Sequence, residues 1–374
     1  MKILYLTGQL VLHGGIERVT SMKLNYLAEH TSNEVYLCTY EQGNAPFVYE
    51  ISPKVVYCDL GVNYNVDYTN ESLYSVRQFK KVPKHILRTR KLISEINPDI
   101  IVVPNFGFEY QFLPFIKQGA KIIREFHDSQ YRRSTIPSIK DKVNNWIQRL
   151  YDAVVVLTPQ EKDYFIYKQN LVVIPNPIKE NQEVSIKKKK TIISVGRIDP
   201  VKGFDKLIEI ASKVKKKCPY CKFEIYGVGE ENYINSLKKK TKQAQVSSVL
   251  RFMGRTDDVY AKMLQSVIYV CTSKTESFGL TLVEAQECGL PVVSFDCPNG
   301  PRNIVHDGVD GFLILQNDVT QAANAIIYLL ENEDFRYRMA TNARHNAQQF
   351  HIVKIMNKWE ELFKQLIQNK YIKK

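Results

Sequence analysis

The sequence predicts an α/β protein with two doubly wound, Rossmann-like parallel-sheet domains that face a deep cleft. Short apolar runs alternate with helix-length segments, and this series occurs twice, on either side of a proline- and lysine-rich stretch. Short buried strands separated by helices are typical of parallel sheets covered on both faces. The 374 residues are enough to fill two such cores. Because doubly wound sheets bind ligands at the carboxyl ends of their strands, we expect the site in the cleft.

The first domain is predicted to span residues 1–177. Its strands are expected at Ile3–Leu6, Val35–Thr39, Val55–Asp59, Ile100–Pro104, Ile122–Phe126, Ala153–Leu157 and Val172–Ile174. Glu17–Glu29 has the periodicity of a helix, and Pro159 suits the first turn of another helix. A Pro-Asn-Pro segment then breaks regular structure, so we place a linker at 178–190.

The second domain is predicted at 191–350. Its strands are expected at Ile192–Val195, Phe223–Tyr226, Val249–Phe252, Val267–Cys271, Pro291–Phe295 and Phe312–Leu315. Helices are expected at Phe204–Val214 and from near Leu280 onward. The tail from Asp334 to Tyr371 reads as helical, and 351–374 is expected to pack back on the first domain. The candidate buried side chains of the tail are Phe350, Ile355, Trp359 and Phe363.

Composition narrows the class of protein. The net charge of +13 is compatible with nucleic acid, an anionic membrane surface or phosphorylated small molecules as partners. No recognised nucleic-acid module is present, so we expect no nucleic-acid partner. No segment is apolar for the roughly 18 residues that a membrane-spanning helix needs. Met1–Leu6 reads as a strand instead of a signal peptide, and the seven scattered cysteines indicate reduced thiols in a cytoplasmic protein.

The Cys218-Pro-Tyr-Cys221 segment has the spacing of a redox site but lies in the wrong place for one. Redox pairs begin a helix, where the helix start lowers the thiol pKa. Here the pair follows a lysine-rich helix and precedes the strand Phe223–Tyr226. We therefore expect neither a redox role nor a metal role for it.

Two cations flank the loop after the predicted strand Ile192–Val195. Arg197 follows the strand, and Lys202 lies at the start of the next helix, where free amides and the helix dipole favour anions. Cations five residues apart across such a loop are suited to a diphosphate. The alternative is a solvated loop with ordinary surface charge.

The stretch Thr275–Val293 places two carboxylates around a helix start. Glu276 lies in the loop after a strand, Gly279 permits a close backbone approach, and Glu284 lies about 6 Å further along the helix that begins near Leu280. Carboxylates accept hydrogen bonds from hydroxyls, and free amides donate to phosphate. This order of groups matches a nucleotide sugar. The alternative makes the carboxylates a helix-terminal charge and an exposed helix residue.

Two further candidates lie in the first domain. Gly14 and Gly15 separate the first strand from the first helix, where paired glycines let backbone amides approach a phosphate. The pair is not a G-x-G-x-x-G motif, so a dinucleotide site is poorly supported. His127 follows the strand Ile122–Phe126 and faces the expected cleft, although a lone histidine is as often structural as catalytic.

Taken in order, these segments resemble glycosyltransferase family 4, retaining enzymes of the GT-B architecture that include bacterial polysaccharide and lipopolysaccharide glycosyltransferases. The matching segments are "GGIERV", "REFHDS", "VGRIDPVKGFDKLI", "IYGVGE", "SKTESFGLTLVEAQECGLPVVSFD" and "GPRNIVHDGVDGFLI". They cover nearly the whole chain. Glu276 and Glu284 form the E-x7-E pair of the family. Asn303 departs from the pattern, since an acidic residue is common there.

The resemblance implies a role for each candidate. Arg197 and Lys202 would bind the donor diphosphate, Glu276 the sugar hydroxyls, and Glu284 the ribose. The backbone of Phe278, Gly279 and Leu280 would reach the sugar and phosphate, and that of Gly254 and Arg255 would seat the base. Gly14 and Gly15 would lie against the phosphate or sugar, and His127 against the donor sugar.

The resemblance also implies a mechanism without a cofactor. The bond to the diphosphate loosens, the cations and helix-start amides stabilise the leaving group, and the acceptor hydroxyl attacks from the same face. No Asp-x-Asp motif is present, so we expect no metal. The donor is expected to be a uridine diphosphate sugar, with galactose, glucose or their N-acetylated forms ahead of mannose from a guanosine donor. The acceptor is expected to be a glycan or a polyprenyl-linked glycan of surface polysaccharide, lipopolysaccharide or capsule synthesis.

Arg77–Lys91 contains seven Lys or Arg residues and no acid, beside apolar side chains. We expect this basic segment to rest on anionic lipid at the inner face of the membrane; a solvated helix face is the alternative. Two other functions stay open: a different GT-B enzyme, such as a nucleotide-sugar epimerase or a phosphorylase, and a non-catalytic glycan-binding subunit.

Overall fold

A computed structural model describes residues 1–64, 79–104, 107–129, 139–181 and 189–369. The chain forms two compact units. The first, unit 1, comprises Met1–Pro177 and Ile352–Lys374, and the second, unit 2, comprises Ile178–His351. Unit 1 is therefore built from two separate stretches of sequence.

Unit 1 contains a seven-stranded parallel sheet in the order β3-β2-β1-β4-β5-β6-β7. Its strands are β1 Lys2–Thr7, β2 Glu34–Thr39, β3 Val56–Asp59, β4 Ile100–Val103, β5 Lys121–Phe126, β6 Ala153–Val156 and β7 Leu171–Val173. The seven predicted strands are confirmed, with ends that differ by about one residue. They are recognisable because β1, β4 and β6 are almost wholly buried and mainly apolar.

The helices of unit 1 cover both faces of this sheet. Among the described residues before Pro177 they are α1 Gly15–His30, α2 Val82–Ile96, α3 Glu109–Ile116 and α4 Ile139–Gln148. The helix expected after Pro159 is only the short 3-10 segment Gln160–Tyr164. It ends because Phe165 adopts an extended backbone, which lets its ring pack edge-to-face on Phe126 at 5.1 Å.

Unit 2 contains a six-stranded parallel sheet in the order β10-β9-β8-β11-β12-β13. Its strands are β8 Thr191–Val195, β9 Lys222–Tyr226, β10 Leu250–Gly254, β11 Ile268–Cys271, β12 Val292–Phe295 and β13 Gly311–Ile314. Its helices are α5 Phe204–Lys217, α6 Glu231–Gln243, α7 Val259–Leu264, α8 Leu280–Glu287, α9 Val319–Glu331 and α10 Glu333–Ala347. The predicted strands and the helix start at Leu280 are confirmed.

The predicted helical tail is interrupted where the chain leaves unit 2. After α10, Gln348–Phe350 form a 3-10 turn, His351 is extended, and the last helix, α11, runs over Ile352–Ile367. The break has two visible causes. The amide of Ile178 donates to the carbonyl of Phe350 at 2.9 Å, and His351 Nε2 bonds Glu287 at 2.8 Å.

The helix α11 completes the core of unit 1. It packs beside α1, and Ile355, Trp359 and Phe363 are almost fully buried there, as expected from the sequence. The buried residues of α11 share one cluster with Tyr5 of β1 and with Leu24 and Leu27 of α1. One face of the unit 1 sheet is therefore covered in part by sequence that follows unit 2.

The cysteines are free thiols, and Cys218 and Cys221 are both fully buried. Burial raises the pKa of Cys221 to about 11, and the nearby Cys218 adds to the effect. A thiol with so high a pKa is a poor nucleophile. This environment fits the expectation that the pair is not a redox site. Among the helices that the structure describes, none combines the length and apolar character that crossing a bilayer requires.

A buried carboxyl group lies at the start of α3. Glu109 has no exposed surface, and a Cβ at Gly107 would lie 2.0 Å from the Tyr40 hydroxyl and 2.1 Å from Glu109 Oε2. The Tyr40 hydroxyl and the Glu109 carboxyl group therefore both lie next to Gly107, where there is no room for a side chain. Burial raises the pKa of Glu109 to about 8, although Tyr40 and Arg124 partly offset it. This carboxyl is protonated at neutral pH.

This shift predicts a loss of stability in mild alkali. Because the folded pKa of about 8 exceeds the ordinary carboxyl pKa of 4.5, the folded state holds the proton more tightly. The resulting stability is full below pH 4.5 and is lost as the pH rises through 8. Between pH 7 and pH 9 we expect the free energy of unfolding of unit 1 to fall by about 1 kcal/mol.

Urea unfolding followed by tryptophan fluorescence measures this, because both tryptophans, Trp146 and Trp359, belong to unit 1. The variant Glu109→Gln has a side chain of the same shape that does not titrate. Its free energy of unfolding should therefore change less between pH 7 and pH 9 than that of the wild type. If the free energy of unfolding falls equally in the two proteins, the pH dependence belongs to another titrating group.

Candidate active site

Lys202 is placed by a tight junction between two loops at the carboxyl edge of the unit 2 sheet. It precedes α5, whose N-cap Gly203 has φ of 64°, and a Cβ there would lie 2.1 Å from the carbonyl oxygen of Thr272. The Thr272 hydroxyl donates to the carbonyl of Lys202 at 3.0 Å, and the Lys274 amide donates to that of Val201 at 2.7 Å. The loops after β8 and β11 therefore hold Lys202 rigidly.

Lys202 and Glu276 form an ion pair across these loops. The ammonium of Lys202 lies 2.6 Å from Glu276 Oε1, and the hydroxyl of Ser273 donates to the same oxygen at 2.6 Å. Their side chains are 25% and 12% exposed. Burial acts against the charge of Lys202, but the Glu276 carboxylate more than compensates and raises the pKa of Lys202. Both contacts fall on Oε1, and no hydrogen bond to Glu276 Oε2 is present within the described part of the chain.

Arg197 lies in the same loop but is held differently. Its Nε donates to Asp199 Oδ2 at 2.6 Å, and its side chain is 70% exposed. Asp199 Oδ1 accepts from the amides of Val201 and Lys202 at 2.9 and 3.2 Å. Burial would raise the pKa of Asp199, but Arg197 and these amides lower it. Asp199 therefore shapes the loop that presents both cations, a role that the sequence reasoning missed.

The start of α8 follows Glu276 directly. Gly279 caps the helix with φ of 96°, a backbone conformation that favours glycine. The ring of Phe278 is buried and packs edge-to-face on Phe350 at 5.6 Å. The first amides of α8, from Leu280 onward, form the helix start that the sequence predicted beside Glu276.

The backbone of Gly300 fixes this segment from the other side. The amide of Gly300 donates to the carbonyl of Glu276 at 2.9 Å, and a Cβ at Gly300 would lie 2.4 Å from the carbonyl oxygen of Phe278. In the same loop, the side-chain amide of Asn303 donates to the carbonyl of Asn299. Asn303, the departure from the family pattern, therefore braces its own loop.

Glu284 lies one turn inside α8 and is almost fully buried, with 2% of its surface exposed. It is therefore not the exposed helix residue that was the alternative from sequence. Glu287, on the same short helix, is also buried, and it accepts from the Asn181 amide at 2.9 Å. The helix thus carries two buried carboxyl groups.

Gly254 is the last residue of β10, and Arg255 follows it. Gly254 has φ of 77°, and its carbonyl accepts from the amide of Gly227 at 2.8 Å. The guanidinium of Arg255 is about half exposed and contacts Asp257 at 3.0 Å. The backbone of Gly254 is therefore held at the strand end, whereas the side chain of Arg255 is half exposed.

In unit 1, Gly14 and Gly15 begin α1. A Cβ at Gly14 would lie 2.1 Å from Glu17 Oε2, whereas a Cβ at Gly15 would meet nothing within 4 Å. Glu17 is buried, and burial raises its pKa, although its hydrogen bonds oppose this. A side chain at Gly14 would displace the carboxyl group of Glu17, whereas Gly15 leaves open space above the helix start.

His127 follows β5, and its side chain is 4% exposed. Its Nε2 bonds Glu125 Oε2 at 3.0 Å, and the same oxygen forms an ion pair with Lys23 of α1. Lys23 and Glu125 are 1% and 2% exposed. The sequence reasoning did not single out either residue, although a lysine among the apolar positions of α1 was a visible signal.

The structure thus forms two groups of candidates. In unit 2 it brings Lys202 and Glu276 into contact, with Arg197 in the same loop and the Gly279 cap nearby. In unit 1 it pairs His127 with Glu125, which in turn pairs with Lys23, and it exposes the backbone of Gly15. Among the described residues, no group of three or more His, Cys, Asp or Glu side chains could share a metal ion.

Two doubly wound sheets, one of which carries a lysine–glutamate pair beside a glycine-capped helix, define a glycosyltransferase of the GT-B type. The chain belongs to the glycosyltransferases: the family model described as Glycosyltransferase Family 4 matches residues 13–182, and the model described as Glycosyl transferases group 1 matches residues 176–346. The resemblance drawn from the sequence motifs is thereby confirmed.

Known proteins support the same class. An uncharacterized glycosyltransferase of Haemophilus influenzae is 28% identical over 93% of this chain and 95% of its own. The amylovoran biosynthesis glycosyltransferase AmsD of Erwinia amylovora is 24% identical over 96% of this chain and 99% of its own. Four further curated relatives match only 57–62% of this chain, which spans 24–46% of their lengths.

Solved structures confirm the fold. The structure of Anabaena Alr3699/HepE in complex with UDP and glucose superposes with a TM-score of 0.76, at 20% identity, over 98% of this chain and all of that one. The protein is therefore a glycosyltransferase of GT-B type, related to enzymes of polysaccharide biosynthesis.

Proposed function

We propose that this protein is a retaining glycosyltransferase that moves a hexosyl or N-acetylhexosaminyl unit from a uridine diphosphate sugar to a hydroxyl of a glycan or polyprenyl-linked acceptor. The observation that carries the proposal is the Lys202–Glu276 pair beside the start of α8. A cation, a carboxylate and free amides at one sheet edge match the phosphate and hydroxyl groups of a nucleotide sugar.

The chemistry follows from the charges that these groups can meet. As the bond to the diphosphate loosens, Lys202, Arg197 and the amides of α8 stabilise the negative leaving group. One such preorganised donor contributes about 3 kcal/mol to barrier lowering. Glu276 Oε2 accepts from sugar hydroxyls while Lys202 and Ser273 hold Oε1. Because two cations and a helix start supply positive charge, transfer is proposed to need no metal ion.

Glu284, Gly254 and Arg255 complete the donor site in this proposal. The buried carboxyl of Glu284 holds the ribose hydroxyls, and the backbone of Gly254 and Arg255 seats the base. On unit 1, Gly15 offers open backbone to the phosphate or sugar, and His127 contacts the donor sugar. The UDP preference is supported by the UDP-bound Anabaena structure, and the polysaccharide role by the relative in amylovoran synthesis.

A screen of nucleotide sugars tests the proposal. We expect a uridine diphosphate hexose to raise the unfolding temperature more than guanosine or adenosine donors, and transfer to a lipid-linked acceptor to proceed in the presence of EDTA. NMR of the product should show the anomeric configuration of the donor. An inverted product contradicts retention, and release of an altered free sugar without an acceptor indicates the epimerase alternative.

We further propose that the basic segment contacts anionic lipid at the cytoplasmic face of the membrane. Arg77 lies outside the described residues. On α2, Leu87 is 68% exposed, and Lys84, Arg88, Arg90 and Lys91 are exposed around it. Lys81, Lys84 and Arg88 also donate to backbone carbonyls of residues 60–63, so these three have a local structural use.

Co-sedimentation with anionic vesicles tests the lipid contact without disturbing those bonds. The variant Lys80→Gln/Arg90→Gln/Lys91→Gln should bind vesicles containing phosphatidylglycerol less tightly, by about 1 kcal/mol per removed charge near the surface. The matched control is Lys238→Gln/Lys239→Gln/Lys240→Gln on α6 of unit 2. Equal vesicle binding by the two triple variants would remove this surface from the proposal.

A further inference from the structure

Behind His127 lies a charged cluster inside unit 1 that the proposed chemistry does not use. It consists of Lys23 on α1, Glu125 on β5 and His127 itself, with side chains 1%, 2% and 4% exposed. The ammonium of Lys23 also lies 4.5 Å from the ring centre of Trp359 on α11. The cluster therefore joins α1, β5 and α11 directly beneath a candidate catalytic residue.

Stability alone does not explain this cluster. A buried ion pair loses its hydration, and a well-packed apolar pair of similar size is often as stable or more so. Glu125 Oε1 is buried and accepts no hydrogen bond from the described residues, and the buried hydroxyl of Tyr5 is likewise without one. Unsatisfied buried polar atoms are costly to folding. A cluster that costs stability and contacts a site residue has a functional explanation.

The cluster fixes the chemistry of the imidazole. Burial would raise the pKa of Glu125, but the charge of Lys23 and the hydrogen bond with His127 hold it below its ordinary value. Glu125 is therefore ionised at neutral pH and can only accept hydrogen bonds. Its partner, Nε2 of His127, is therefore the donor of this hydrogen bond, and the tautomer that carries its proton on Nε2 has its lone pair on Nδ1.

We propose that Glu125, charge-balanced by Lys23, is a positioning residue that fixes the Nε2–H tautomer and the ring plane of His127, so that Nδ1 accepts a hydrogen bond from a hydroxyl of the donor sugar. This inference rests on the proposed function, in which His127 contacts the donor sugar. Lys23 cancels the charge of Glu125, so the buried pair beside His127 carries no net charge. Burial lowers the pKa of Lys23, whereas the Glu125 carboxylate and the Trp359 ring over the ammonium both favour its charged form.

The test exchanges the ion pair for an uncharged pair of similar volume. The variant Lys23→Met/Glu125→Gln removes both charges at once, so neither is left unpaired, and we expect its unfolding temperature to stay close to that of the wild type. Because the amide of Gln can bond either tautomer, the ring is no longer fixed. We expect kcat for sugar transfer to fall about 10- to 100-fold, with a smaller change in donor KM.

The matched control is Lys117→Met, which breaks another ion pair of unit 1, the 2.9 Å contact with Asp152 at the amino edge of the sheet. It should change kcat less than about twofold. A double variant that folds and keeps the wild-type kcat would overturn the positioning role. If His127→Ala also keeps wild-type transfer, the proposed role of His127 fails instead, which separates the two failures.

A spectroscopic measurement on the wild-type protein covers the case in which the double variant does not fold. Two-bond proton–nitrogen spectra of histidine-labelled protein distinguish the tautomers, and His127→Gln identifies the resonance. We expect a protonated Nε2 and an unprotonated Nδ1. The opposite tautomer would contradict the proposal whatever the variants do.

Discussion

Lys202→Ala should lower kcat for sugar transfer by about 10²- to 10³-fold, the cost of removing one preorganised charge at a reacting centre. Two effects combine. The leaving diphosphate loses a cation, and Glu276, whose side chain is 12% exposed, loses the ammonium that lies 2.6 Å from Oε1. Initial rates over a range of donor concentrations, with the unfolding temperature of each protein, measure the effect.

Lys206→Ala is the matched control for this experiment. Lys206 lies one turn further along α5 and pairs with the exposed Glu209 at 2.9 Å, away from the loops that hold Lys202. Its removal should leave kcat within about twofold. Lys202→Arg keeps the charge but not the compact ammonium, so it should recover part of the activity. Full activity in Lys202→Ala would contradict the proposal that Lys202 stabilises the leaving diphosphate.

Trp359→Ala should destabilise unit 1 by about 3–5 kcal/mol, the range for truncating a large buried aromatic side chain. Trp359 is 2% exposed, it packs with Phe363 at 5.7 Å, and it covers the buried ammonium of Lys23. The substitution therefore leaves a cavity and also uncovers a charge. In urea unfolding, we expect the midpoint to fall by about 1–2 M.

The second tryptophan of the chain provides a matched control, and tryptophan fluorescence is the signal that is measured. Trp146, the other tryptophan, is 50% exposed on α4, and Trp146→Ala should change stability by about 0.5 kcal/mol or less. Since both tryptophans lie in unit 1, fluorescence follows that unit in each variant. Equal midpoints for the two variants would show that α11 adds little to the core of unit 1.

The local pattern of the sequence predicted the strands well, because buried parallel strands are short apolar runs between polar loops. It also predicted that α8 would start after Gly279, because glycine permits a tight turn before a helix. In the structure Gly279 has φ of 96°, a conformation that favours glycine. The expected helix after Pro159 was wrong. Its sequence allows a helix, but the distant Phe126 ring draws Phe165 out of it.

Contacts between distant residues are what the sequence could not supply. Lys202 and Glu276 are 74 residues apart, and Lys23 and Glu125 are 102 residues apart. Each residue alone is an ordinary charge in a helix or a loop, and only the fold brings it against its partner. The same holds for Gly300, whose close approach to Phe278 joins the loop after β12 to the loop after β11.

The return of α11 to unit 1 has a consequence for how the chain is made. During translation, residues 1–177 leave the ribosome long before Trp359 exists, and the whole of unit 2 is synthesised in between. At 5–20 residues per second that interval is roughly 9–35 s. During this interval, the part of the unit 1 core that α11 covers in the finished protein is exposed. We therefore expect chaperones to bind stalled chains most strongly before the final helix leaves the ribosome.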